Sequence, residues 1–102
     1  MTNMIENTRT NEDVMQITVG EELYQFTYHA QTVVAERELS MEWIKITLAS
    51  PERVEVDKYD SQLIHVLKHI PEYGHRVLRV IYNGSSTPKR IVTTYFDRRQ
   101  KD

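Results

Sequence analysis

The sequence predicts an α+β domain in which a pair of short helices packs on one face of a curved antiparallel β-sheet. Three observations carry this reading. Apolar and polar residues alternate in several short runs, the mark of half-buried strands. Between the second and third of these runs the apolar spacing changes to i, i+3, i+4, the mark of helix. The connections between most successive runs are too short for the crossover that parallel neighbours need. The expected element order is β-β-α-α-β-β-β-β.

The chain has 102 residues, enough for one domain with a small core. Residues 1–13 are polar, rich in Asn and Thr, and lack periodicity, so they are expected to be a disordered tail. The domain is expected over 14–99, followed by a charged tail at 100–102. Val14–Val19 and Leu23–Tyr28 flank Gly20 and read as a hairpin. From His29 to Leu39, Ala30, Val33, Val34 and Arg37 fall on one helical face. Arg37 ends that stripe, either at the edge of the core or pointing into a cleft with its stem buried. Ser40 is a suitable N-cap for a second helix, Met41–Ala49, which Pro51 terminates.

After Pro51 the period returns to two. Arg53–Lys58 reads as a short charged strand and Leu63–Ile70 as a longer one. Pro71–His75 interrupts, then Arg76–Asn83 forms the next strand. The cluster Asn83-Gly-Ser-Ser-Thr-Pro88 is a turn, and Arg90–Phe96 is the last strand. Strict alternation would place Leu78, Val80 and Tyr82 opposite Val77, Arg79 and Ile81. It would likewise separate Ile91, Thr93 and Tyr95 from Arg90, Val92, Thr94 and Phe96. Neither strand has a wholly polar face, so the sheet is expected to be covered on one side and partly covered on the other.

Charge is unevenly distributed. Residues 1–75 carry 6 basic and 13 acidic side chains, whereas residues 76–102 carry 7 basic and 2 acidic. The basic end can attract an anion, or the two halves can neutralise each other within the fold. The absence of cysteine excludes disulfides and thiolate zinc sites. No apolar run is long enough to cross a membrane and no signal-peptide block is present, so a cytoplasmic protein with no membrane association is expected. There is no phosphate-cradling glycine loop, nucleophile elbow or HExxH motif. Neither a cofactor nor a metal is expected.

The residues able to carry chemistry are arginines, histidines and tyrosines. Arg79 sits mid-strand among apolar neighbours and needs either an acidic partner, such as Glu55 or Asp57, or an open groove. His65 and His69 share a strand face, and His75 lies in a turn. His29 opens a helix, where backbone N–H groups favour an anion. Trp43 and the tyrosines offer faces on which bases can stack, although a tryptophan on a short helix is more often core.

Several motifs together resemble a known family. They are Tyr28-His29-Ala30, Ala35-Glu36-Arg37-Glu38-Leu39-Ser40, Ser50-Pro51-Glu52, Arg76-Val-Leu-Arg-Val-Ile-Tyr82 and Arg90-Ile-Val-Thr-Thr-Tyr95. They resemble an uncharacterised bacterial family of small domains, including cyanobacterial members, over about residues 22–99. More distantly they resemble the BrnT and RelE-like toxins of toxin–antitoxin pairs. The toxin resemblance implies metal-independent cleavage of RNA, with His29, Arg37, Arg79 and Tyr95 as catalytic residues and His65 as an alternative for the proton transfer. It implies Arg76, Arg90, Arg98 and Arg99 as phosphate contacts, and RNA, an antitoxin protein or a second copy as partner. Tyr95 stands where the BrnT pattern has an arginine, and the chain is slightly acidic where such toxins are basic. The other reading is a non-catalytic protein-interaction module.

Overall fold

A computed structural model describes residues 15–100. The tail expected at 1–13 and the last two residues of the tail at 100–102 lie outside the described residues. Two antiparallel strands, β1 (Gln16–Val19) and β2 (Glu22–Phe26), are followed by helices α1 (Tyr28–Glu36) and α2 (Met41–Ala49). Then come β3 (Arg53–Val56), β4 (Leu63–Ile70), a 3-10 turn (Pro71–Tyr73), β5 (Arg76–Asn83) and β6 (Lys89–Phe96). The order matches the sequence expectation, and both helices pack on one face of the sheet.

The sheet itself is mixed, which corrects the antiparallel expectation. Its strand order is β1-β2-β6-β5-β4-β3, and β2 runs parallel to β6 through Tyr24–Lys89, Gln25–Arg90 and Phe26–Ile91. The physical reason is simple: short connections constrain only consecutive strands. β2 and β6 are separated by both helices and three strands, so their pairing was free to be parallel.

Helix capping follows the sequence. The Thr27 hydroxyl accepts the Ala30 N–H at 3.1 Å and donates to the Val92 carbonyl at 3.1 Å, so it both starts α1 and ties it to β6. Ser40 caps α2 by accepting the Glu42 N–H. Ala30, Val34, Leu39, Ile44 and Leu48 bury against Tyr24, Phe26, Val66, Ile70, Leu78, Val80 and Ile91. Burying these side chains is the main stabilising term, at roughly 25 cal/mol per Å² of apolar surface.

One register shift changes the faces of β6. The pairing passes from Ile81–Thr93 to Tyr82–Ile91, leaving Val92 as an extra residue in a bulge. Strict alternation therefore fails there: Ile91 joins Thr94 and Phe96 on the helix side, and Thr93 and Tyr95 lie on the other. On that other side Leu67, Val77 and Ile81 are also buried. β5 is thus enclosed on both faces, which explains its lack of a polar face in the sequence.

Candidate functional site

The buried centre of the open face is a charge network built around Arg79. This side chain is only 6% exposed. Its Nε–H donates to Asp97 Oδ2 at 2.9 Å, and Nη2 lies 2.8 Å from the same oxygen. Nη1 reaches Glu55 at 3.4 Å and donates to His65 Nδ1 at 2.7 Å. Arginine only donates, so His65 Nδ1 accepts and the ring proton sits on Nε2, which meets Asp57 at 2.7 Å. Both nitrogens of His65 are therefore occupied. Tyr95 and Arg99 line the same cleft, of about 270 Å³.

Burial pushes the Asp97 carboxyl up, but hydrogen bonds from Arg99 and Arg79 outweigh it and hold the pKa at about 2. Hydrogen bonds from His65 lower Asp57, and those from Arg53 lower Glu55. The network is thus a set of mutually satisfied charges. Asp97 also accepts the Arg99 backbone N–H at 3.0 Å, and its own N–H donates to the Val77 carbonyl. These bonds fold the turn after β6 back against the sheet and fix the direction in which Arg98 leaves it.

That turn forms one wall of a groove at the end of the sheet. Two adjoining hollows, of about 630 and 360 Å³, share Arg76, Phe96 and Arg98. The larger also takes in Gly74, His75, Asp97 and Gln100; the smaller takes in Glu36, Arg37, Leu39 and Tyr73. Four separate segments meet here. Arg37 is the C-cap of α1, with its N–H donating to the Val33 carbonyl at 2.9 Å. Tyr73 comes from the 3-10 turn, Arg76 opens β5, and Arg98 follows β6.

The floor of the groove is aromatic. Phe96 and Tyr73 stack at 4.5 Å and 23°, and Trp43 meets Phe96 edge-on at 5.7 Å. The Arg76 guanidinium lies over the Tyr73 ring, 5.7 Å from its centroid. Tyr73 nonetheless remains 45% exposed. Arg37, Arg76 and Arg98 are exposed and make no ion pair among the described residues, whereas Arg79 and Arg99 both engage Asp97. Glu36 lines the smaller hollow, and Glu72 lines a shallow hollow with Tyr73, Gly74 and Arg76. The His75 ring stacks on His69 at 5.7 Å, and His69 Nδ1 is held by Glu52 at 2.9 Å.

The residues singled out from the sequence therefore divide into separate places. Arg37, Arg76 and Arg98 converge on the groove. Arg79, Tyr95 and Arg99 line the charge-network cleft. His29 is exposed on α1, where its Nε2 shares a 3.2 Å hydrogen bond with the Thr93 hydroxyl, and it lines neither hollow. Arg90 is exposed near the start of β6, beside β2. The four residues that the toxin resemblance made catalytic are thus not gathered around one opening. Tyr73 was foreseen only as one of the tyrosines on which a base could stack, and Phe96 was not foreseen as a site residue. The available signal was Tyr73 in a glycine-containing turn three residues before Arg76.

No helix among the described residues is long and apolar enough to cross a membrane. A family model matches residues 26–96, from the end of β2 to the end of β6, with the description "Domain of unknown function (DUF4258)". No curated protein and no solved structure matches the chain.

Proposed function

The chain belongs to the DUF4258 family, whose description assigns no activity, and from that premise we propose that the domain binds single-stranded RNA in the arginine–aromatic groove. The observation that carries the reading is the convergence on an aromatic stack of three arginines that have no acidic partner among the described residues. Arginines track phosphates, and exposed rings or guanidinium planes stack on unpaired bases. Single-stranded RNA presents both groups in the same few nucleotides, whereas a duplex hides its bases. The sequence motifs read above as resembling RelE-like and BrnT toxins would imply the same class of ligand. We assign no cleavage chemistry, because His29, Arg79 and Tyr95 stand outside the groove and Arg79 is neutralised by Asp97.

The test is fluorescence anisotropy with a labelled single-stranded RNA oligomer. Arg76→Ala and Arg98→Ala should each weaken binding and flatten its salt dependence by about 0.7 in log–log slope. Tyr73→Ala should cost roughly 1–3 kcal/mol if a base stacks there. Arg90→Ala should bind like the parent protein. Equal effects at Arg90 and Arg76, or equal competition by polyglutamate, would reduce the groove to nonspecific charge.

A further inference from the structure

The outer edge of β3 carries a second inference, independent of the RNA reading. β3 is the terminal strand of the sheet, and among the described residues it pairs only with β4. The Asp57 N–H donates to the Leu63 carbonyl, which sets the alternation of the ladder. Arg53, Glu55 and Asp57 direct their backbone groups toward β4, so Val54 and Val56 direct theirs outward. Their side chains are exposed as well, at 60% and 59%. At the opposite edge, the exposed residues of β1 are the polar Gln16 and Thr18. Outward-facing peptide groups beside exposed valines make a template for another strand.

We propose that β3 pairs with β3 of a second copy of this chain, antiparallel about a two-fold axis through Val54. Geometry and charge select this register. In an antiparallel pair the residues opposite each other point their peptide groups either both across the seam or both away from it, so the axis can pass through any residue of β3, but centred on Arg53 or Glu55 it would set that charge against itself. Centred on Val56, Glu55 would face Asp57 of the second copy, a repulsive pair. Centred on Val54, Arg53 of each copy faces Glu55 of the other, and Val54 faces itself. The Arg53 and Glu55 side chains already lie on one face of the strand and contact each other within one chain. The pairing joins two six-stranded sheets into one, with the helices of both copies on the same side. The seam is short, so the dimer is weak and concentration-dependent.

Sedimentation equilibrium from about 10 μM to about 1 mM reads this directly, a range suited to a weak interface. The parent protein should rise from 12.1 kDa toward twice that mass. Val54→Pro removes an N–H that the protein's own ladder does not use, and should stay at the monomer mass throughout. Arg53→Glu, at an exposed position that does not endanger folding, should weaken dimerisation about tenfold, and it decides the matter if Val54→Pro unfolds. In the parent protein the Val54 and Val56 amides should become protected from hydrogen exchange as concentration rises. A constant monomer mass, a mass climbing past the dimer, or a parent-like dimer in Arg53→Glu would overturn the proposal.

Discussion

At the scale of single residues, Asp97 matters most. It neutralises Arg79 in a buried setting, fastens the following turn, and so sets where Arg98 stands. Its folded pKa lies at about 2, below the ordinary value of 3.8. A depressed carboxylate contributes stability that is fully present above its unfolded pKa and lost as pH falls through the folded one. The contribution, about 2 kcal/mol, should therefore disappear between about pH 4 and pH 2. Urea unfolding across that range should show the loss in the parent protein and a shallower decline in Asp97→Asn. Arg79→Ala should be worse than either, at about 3–5 kcal/mol, because it strands a buried carboxylate. Arg79 also shows what a sequence can and cannot say. Its need for an acid or a groove was legible, and Glu55 was a correct partner. Asp97, the stronger partner, lies beyond the last strand, and only the turn folding back after β6 brings it beside Arg79.

At the scale of elements, local rules wrote most of the structure. The Ser40 cap, the helix stop at Pro51 and the turn after Asn83 all act through neighbouring atoms, and most element limits fell within a few residues of expectation, although Thr27, read as strand, is the cap of α1. What stayed hidden depends on distant pairings. The bulge at Val92 moved Ile91 to the helix side, because one extra residue inverts the alternation beyond it. The parallel seam between β2 and β6 leaves no local trace either. Two residues run against local preference with a left-handed backbone, His75 with φ of 58° and Glu38, just beyond α1, with φ of 53°. Helices usually place glycine there, and a side chain in that region costs about 1–2 kcal/mol. Glu38→Gly should therefore stabilise the protein by roughly 0.5–1 kcal/mol, after allowing for the greater freedom of glycine in the unfolded chain. Denaturant midpoints would show it. A destabilised variant would mean that the Glu38 side chain contributes more than its backbone costs.

At the scale of the whole molecule, the uneven charge of the sequence resolves into two arrangements. Part of the basic C-terminal region is neutralised internally, with Asp97 holding Arg79 and Arg99, and Glu22 holding Lys89 at 3.1 Å. Of the others, Arg76 and Arg98 join Arg37 from the acidic half to line a groove over Tyr73 and Phe96, whereas Arg90 stands apart beside β2. The neutralisation foreseen from composition thus occurs for part of the basic region, and the proposed anion site is the groove. The individual arginines of the groove were legible as cations. Their meeting was not, because it requires the end of α1, the 3-10 turn and both ends of the β5–β6 hairpin to reach one corner of the sheet. The most direct test of the RNA-binding account is the salt dependence of that binding. For the parent protein the log–log slope should be about −2, as three arginine–phosphate contacts predict. For the Arg37→Ala/Arg76→Ala/Arg98→Ala variant, still folded by circular dichroism, it should fall close to zero. A parent-like slope in that variant would contradict the account.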